Sequence, residues 1–583
     1  MAKRSIKHFF SHNPTVNSQR TLFDMSYTNT TTINPDYMYP VFKQLILPGD
    51  TVVFNYSNFI RMLDPLQVPM MDNLYADFQL YFVPFDNVWD YTDNFFGEPK
   101  RPSDPVISSL PTITFTSSTL PQVGSVYDYF GIPIVGNDYA SSGSTPNTPL
   151  LTGGFTIQAM PLLAYYAIHD DWIMDEQRGT YLLDTPDFTA QTFAPSKFQL
   201  YKRGKRFDYL TSTLLSPQIG TPTSFSLANS APVYGDGHTM VMMGKPIDSS
   251  GNYNVSGFRN YSSSGNYFVP GVLGQSAQTN EVGDTTSSMS TAFTNNTFVG
   301  LADKATITHL NSSIPGITTG VYADLATASN VSVEALRRAF QVQAYNELLA
   351  RYGQRYPEYI YSMYGVVSDD LLLRRCEFLG STHQRLSVQP IVQNSASQSN
   401  APLGDLGAIV SGGVSEPVFT RSFTKYGYII GLLNIYSDLT YYQGLQKEWS
   451  IVDKMDFPLN VFSNLTDQPV YKKEVVLTGT SSDNDVFGYQ EIYSWAKSNQ
   501  NCVTGLCRPN APSTVGYWSL AQQFSSVPVN DNTFITSTTP IDRITSVTSG
   551  SNAVHFIVNQ KFDCKVTREL PQHSNPMKWM FRG

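Results

Sequence analysis

The signatures that usually announce chemistry are missing from this chain of 583 residues. There is no G-x-S-x-G elbow, no G-x-G-x-x-G turn, no phosphate-binding P-loop and no H-E-x-x-H helix. The 8 histidines are scattered, and none pairs with another at metal-ligand spacing. His169-Asp170-Asp171 could supply a base and carboxylates, but it closes an apolar helical run, where solvated polar residues are expected. Asp369-Asp370 follows Ser368 and precedes Leu371-Leu372-Leu373, a helix-start pattern favoured by the macrodipole. No catalytic residue, metal or cofactor is expected.

Cysteine is scarce. Cys376, Cys502, Cys507 and Cys564 are too few for a disulfide framework in a chain this long. Cys502 and Cys507 stand five apart with no histidine nearby, so they read as ordinary thiols and not as zinc ligands. Long apolar runs are also absent. The longest, Tyr426 to Tyr436, falls well short of a membrane span. The start, MAKRSIKHFFSHN, has a basic end without an apolar h-region, so no secretory signal is expected and synthesis in a cytoplasm is. Charge is sparse at 15% of residues, and the net charge of −9 excludes a global basic field.

Aromatics are abundant instead, with 35 Tyr and 35 Phe. Aromatic-rich, charge-poor composition suits a surface largely covered by other protein, since interface cores favour Tyr, Phe and Trp over charges. It equally suits a large all-β monomer.

Strand signals dominate. In Val554–Val566, Val554, Phe556, Val558, Phe562, Cys564 and Val566 alternate with polar neighbours, and Ile557 and Gln560 are the two misfits. Period-2 alternation predicts a half-buried strand. Val41–Leu47, Val52–Leu63, Phe78–Val83, Tyr426–Tyr436 and Val470–Leu477 also read as strands, separated by turns such as Leu47-Pro48-Gly49-Asp50. One helix opens at Ser332, repeats apolar residues at Leu336, Phe340, Ala344 and Leu348, and stops near Gly353. A shorter one is predicted over Pro161–Ile173. The pattern predicts an all-β sandwich or jelly roll with a few short helices.

Three stretches differ from this background. Residues 1–20 carry Lys3, Arg4, Lys7 and Arg20 and no acid. The C-terminus interleaves cations with aromatics at Lys578, Trp579 and Arg582, a mixture able to pair phosphates and stack bases. Both ends are therefore candidate nucleic-acid-facing segments. A frayed tail and contact with a neighbouring subunit are the competing readings. Residues 211–330 hold nine charges and are rich in Ser, Thr, Asn and Gly. Tyr253, Tyr261, Tyr267 and Phe268 within them are candidate sites for attachment to a carbohydrate or other receptor. The chain thus divides into an arm (1–20), a first core part (21–210), an insertion (211–330) and a second core part with a basic, aromatic tail (331–583).

Four groups of motifs occur in order. The first is Leu47-Pro48-Gly49-Asp50-Thr51, with Met71-Asp72-Asn73-Leu74, Phe82-Val83-Pro84 and Trp89. The second is Arg203-Gly204-Lys205-Arg206-Phe207-Asp208-Tyr209. The third is the Leu336–Leu348 helix with Arg355-Tyr356-Pro357-Glu358-Tyr359 and Phe378-Leu379-Gly380. The fourth is Gly431-Leu432, Asp438-Leu439-Thr440-Tyr441, Gln443-Gly444-Leu445 and Trp449-Ser450. In these the chain resembles the major capsid proteins of the microviruses, most closely the gokushovirus group.

The resemblance implies an eight-stranded antiparallel jelly roll with long inserted loops. It further implies a T=1 icosahedral shell of sixty copies around circular single-stranded DNA. The insertion would form a protrusion at the three-fold axes. Expected partners are the chain itself, the genome, a DNA pilot protein, an internal scaffolding protein and a bacterial surface receptor. The alternatives are a β-rich carbohydrate-binding or adhesin-type surface protein, and a glycoside hydrolase, which needs two carboxylates facing across a cleft.

Overall fold

A computed structural model describes residues 20–97, 107–135, 151–220, 333–352, 355–370, 373–392, 394, 404, 406–463, 467–545 and 554–573. It also describes the short strands Val233–Gly235, Arg259–Ser262, Gly265–Phe268 and Val321–Ala323. The chain parts into two compact units, Met1–Ile219 with Asn346–Gly583, and Gly220–Tyr345.

Nine strands of the first unit build one antiparallel sheet. They are β1 (Thr21–Asp24), β2 (Tyr27–Ile33), β3 (Tyr39–Ile46), β4 (Thr51–Met62), β5 (Leu74–Pro84), β6 (Glu377–Val392), β7 (Leu406–Ser422), β8 (Gly427–Ser437) and β9 (Phe556–Arg568). The hydrogen-bonded order is β1–β9–β4–β7–β6–β5–β8–β3, with β2 also on β9. β1 and β2 keep a single register on β9, Asp24 opposite Lys565 and Tyr27 opposite Phe562, bridged by Met25 N–H donating to the Cys564 carbonyl at 2.8 Å. They are one interrupted edge strand, so nine strands fill eight lanes.

The sheet folds over at β6. Its first part, Glu377–Leu386, pairs with β5, and Ser387–Val392 pairs with β7. Two four-lane halves result, β1/β2–β9–β4–β7 and β6–β5–β8–β3, connected as a jelly roll. The free edges approach one another, and Asn29 Nδ2 donates to the Val41 carbonyl at 3.4 Å.

Between the halves lies an aromatic core. Tyr56 stacks on Phe78 with ring centroids 3.9 Å apart, and Phe42 meets Phe54 edge-on at 4.8 Å. Gln560, a polar residue in an otherwise apolar register, faces this core fully buried and accepts the Tyr56 hydroxyl at 2.9 Å. Gly431 on β8 lets Phe42 and Phe78 close in, because a Cβ there would lie 2.8 Å from atoms of both.

The outer face of the second half is covered as well. Helix α1 (Met160–Ile168), Trp89, Phe115 and Tyr165 pack on it. β8 is consequently buried at every position, which is why its sequence is a continuous apolar run and not an alternation. No described residue packs over the outer face of the first half, and β9 alternates buried and open residues along its length. A third cluster gathers Tyr209 and Leu210 from the β5–β6 connection with Val470, Phe487 and Phe534 from the β8–β9 connection.

Several expectations shift at the edges. α1 runs on through a π-turn at His169–Ile173, filling the predicted span. The long helix, α2, is Val333–Tyr352, and Ser332 lies outside the described residues. α3 (Tyr356–Tyr364) follows it and ends at Gly365, whose φ of 66° is left-handed. Val470–Leu477 is not one strand. Gln468–Tyr471 pairs with Val486–Gln490, and Lys472–Val475 is a helical turn in which Glu474 reaches back to the Tyr471 N–H at 3.0 Å. Asp369-Asp370 forms a turn closed by Leu373 N–H on the Asp370 carbonyl at 3.1 Å, with no helix following among the described residues.

Candidate functional site

The first and last strands of the sheet are neighbours. Thr21, the first residue of β1, stands opposite Arg568, the last of β9, so the segments beyond both leave from one corner of the sheet. Arg20 is placed there, its guanidinium donating to the Gly49 carbonyl and to Thr51 Oγ1 at 3.0 Å. Lys3, Arg4, Lys7, Lys578, Trp579 and Arg582 lie outside the described residues.

The corner is built by the Leu47-Pro48-Gly49-Asp50 turn. Gly49 adopts a φ of 94°, which a side chain disfavours. Asp50 Oδ2 accepts the Leu47 N–H at 2.9 Å. The same carboxylate takes a two-pronged contact from Arg568, with Nη2 at 2.7 Å and Nε at 3.0 Å from Oδ2, and Nη2 also donates to the Leu45 carbonyl at 2.8 Å. Both groups are buried, so this charge pair fastens the last residue of β9 to the turn before β4.

In the second unit, Arg259–Ser262 pairs antiparallel with Gly265–Phe268, Asn260 opposite Tyr267 and Tyr261 opposite Asn266. Tyr261, Tyr267 and Phe268 therefore share one hairpin. Tyr253 lies outside the described residues.

His169-Asp170-Asp171 is a fastener. The Asp170 carboxylate accepts the N–H groups of Leu182 at 3.0 Å and Leu183 at 2.9 Å and lies 2.8 Å from His169 Nδ1. Asp171 accepts the Cys376 N–H at 2.8 Å, and burial pushes its carboxyl above the usual range. Both carboxylates hold chain segments distant in sequence. Among the described residues no group of three His, Cys, Asp or Glu side chains could hold a metal, and the four cysteines are free.

A cleft of about 1050 Å³ brings together Arg178, Lys202, Arg203, Lys205, Arg206, Arg351, Arg355 and Arg375. In the sequence Arg203-Gly204-Lys205-Arg206 is one motif of the family resemblance and carries no role of its own. Most of these cations are already paired. Arg203 bonds Asp77 at 2.8 Å and stacks 4.1 Å from the Tyr436 ring, Arg178 bonds Asp175 at 3.1 Å, and Arg351 bonds Asp467. Arg355 pairs with Glu176 at 3.4 Å and donates to the Asp170 carbonyl at 2.6 Å. Arg375 lies over the Trp172 ring at 3.9 Å. Burial pushes the Lys205 ammonium down to about 8, and it sits 4.7 Å from the Phe534 ring. The arrangement ties the third cluster to the jelly roll through Arg203 and Lys205, whose backbones bond Asp36, Ser537 and Ile535. The partners Asp77 and Asp467 are far away in sequence, so no local pattern reveals this role.

The geometry is that of a scaffold: a jelly roll, buried charge pairs that hold it, and no reactive constellation among the described residues. The comparisons agree. The family described as "Capsid protein (F protein)" matches residues 11–578. Capsid protein VP1 of Chlamydia phage 1 is 32% identical over 615 residues, covering 98% of each chain. Capsid protein VP1 of Bdellovibrio phage phiMH2K is 31% identical over 94% of this chain and 93% of its own, and that of Spiroplasma virus 4 is 26% identical over 93% and 92%. A match of this length, laid over a jelly roll, places the chain in the F-protein capsid family: it is a structural, non-enzymatic protein of a bacteriophage virion.

Proposed function

We propose that sixty copies of this chain close into a T=1 shell around a circular single-stranded DNA genome. Lys3, Arg4, Lys7, Arg20, Lys578, Trp579 and Arg582 face the DNA. Residues 211–330 stand outward as a protrusion at the three-fold axes and carry host attachment through Tyr253, Tyr261, Tyr267 and Phe268. Synthesis takes place in the host bacterial cytoplasm. Assembly involves a DNA pilot protein and an internal scaffolding protein, and the finished particle meets a bacterial surface receptor, for which a carbohydrate fits the flat aromatic rings.

The observation that carries the genome reading is the shared corner, where Thr21 lies opposite Arg568. Two basic sequences of an acidic chain continue from this corner, and cations held close together add on one stretch of phosphate backbone. Particles purified from lysate test the reading. Imaging should give sixty-subunit shells, and the protected nucleic acid should be circular DNA that a single-strand nuclease digests. Replacing Lys3, Arg4 and Lys7 by Ser should lower packaged DNA or the temperature at which it is released. A larger shell or double-stranded contents would overturn the proposal, and unchanged genome content and release in the triple variant would remove the arm from it.

A further inference from the structure

The first half-sheet carries its own nucleic-acid platform. Every second residue of β2, β9, β4 and β7 points away from the core, and nothing among the described residues packs over that face. The register aligns them in rows. Thr28, Lys561, Ser57 and Ser415 form one, Thr30, Asn559, Phe59 and Gly413 the next, and Thr32, Ile557, Arg61 and Ser411 the third. Lys565 stands opposite Asp24 on β1 and Val53 on β4, and Asp563 opposite Asn55.

Three properties separate this face from the rest of the chain. It reverses the local charge. Arg20, Arg61, Lys561 and Lys565 outnumber Asp24, Asp563 and Glu569 there, on a chain of net charge −9. Asp563 is already engaged by Ser26 Oγ at 3.0 Å and Asn55 Nδ2 at 3.2 Å, whereas Arg61, Lys561 and Lys565 make no ion pair among the described residues. The face is rich in hydroxyls and amides. It also presents one bare aromatic, Phe59, 55% exposed. Its cross-strand neighbour on β7 is Gly413, where even a Cβ would touch the ring at 3.6 Å, so glycine keeps that flank open.

We propose that this face binds single-stranded nucleic acid, with a base stacked on Phe59 and the flanking phosphates held by Arg61, Lys561, Lys565 and Arg20. The inference rests on the reading of a single-stranded genome inside the shell and makes this face the inner one. Charge complementarity identifies the occupant, since a polyanion is what a cationic patch on an acidic protein selects. The chain ends point the same way. Thr21 and Arg568, the strand ends from which the two basic terminal sequences continue, lie side by side at the edge of this sheet. An aromatic platform flanked by cations is how sheets bind single strands without sequence preference.

Ultraviolet cross-linking of intact, DNA-filled particles, followed by mass spectrometry, tests this without any variant. Nucleotide adducts should fall in the peptides spanning residues 51–62 and 556–568. Adducts confined to other peptides would overturn the proposal, as would labelling of Lys561 and Lys565 in intact particles by an amine reagent too large to enter. Unassembled subunit gives a second measurement with oligo-dT. Phe59→Ser should weaken binding roughly tenfold or more and Phe59→Tyr should restore it. Arg61→Gln with Lys561→Gln and Lys565→Gln should lower the slope of log affinity against log salt by about 2. Unchanged affinity and slope would overturn the face alone. Particles found to hold no single-stranded DNA would overturn the genome reading, and the oligonucleotide measurement would then decide the face by itself.

Discussion

Removing either partner of the Asp50–Arg568 pair should cost far more than a surface salt bridge does. Asp50 has a side chain only 1% exposed and Arg568 one 10% exposed, so neither charge can turn to water when its partner goes. Asp50→Ala strands the guanidinium and also removes the acceptor for the Leu47 N–H. Arg568→Met strands the carboxylate and frees the Leu45 carbonyl. Each single variant should lose about 3–5 kcal/mol, the cost of an uncompensated buried charge. Asp50→Asn keeps an acceptor for Leu47 but still leaves the guanidinium without its counter-charge, so it should lose about 3 kcal/mol, the low end of that range. The double variant Asp50→Ala, Arg568→Met leaves no charge stranded, so its cost should fall short of the sum of the singles by roughly 2–3 kcal/mol. Urea unfolding of unassembled subunit, read by circular dichroism, gives all four values. Single-variant losses under about 1 kcal/mol, the range of an exposed pair, would refute the reasoning. Additivity within about 0.5 kcal/mol would refute it as well.

Gly431→Ala should destabilise the subunit by about 1–3 kcal/mol, since the added methyl meets Phe42 and Phe78 at 2.8 Å in a packed core, and a lowered melting temperature is the readout. Tyr56→Phe should cost about 1–3 kcal/mol by leaving the buried Gln560 carbonyl without its donor, while adding Gln560→Leu should recover most of that loss in the same melt. Lys205 has its pKa lowered from 10.5 to about 8, so the unfolded chain binds the extra proton between those values and stability should rise as pH climbs through that window, by up to about 3 kcal/mol. Lys205→Met should be more stable than the parent below pH 8 and lose that advantage by about 10.5; a pH-independent difference would refute the assignment. Tyr253→Ser or Tyr261→Ser should lower adsorption to host cells at normal particle yield, and a collapse in yield would make those rings structural instead.

What the sequence reveals depends on how many faces of an element are covered. β9 shows its period because one face is buried and the other bare, and β8 shows an apolar run because both are buried. β6 and β7 escape notice because each changes partner midway, at the fold between the halves. Their alternation is interrupted by bulges at Phe378/Gly380 and Pro417/Phe419, which abut where Gly380 meets Val418. Gly412, Gly413 and Pro417 then read as breakers of a strand that they in fact bend. The Asp50–Arg568 pair spans nearly the whole chain, and its two residues look like an ordinary turn acid and an ordinary tail cation until the register of β4 on β9, with Thr51 opposite Thr567, sets them together. The same holds for the bare face. Phe59, Arg61, Gly413, Lys561 and Lys565 come from three strands, each contributing alternate positions, so no window of sequence contains the cluster. Even the two misfits in the β9 alternation become intelligible only in the fold: Gln560 is polar because Tyr56 needs an acceptor in the core, and Ile557 is apolar on the bare face beside Arg61. A capsid subunit places its function in such surfaces, and a surface assembled by topology from scattered alternate residues leaves no local motif to find.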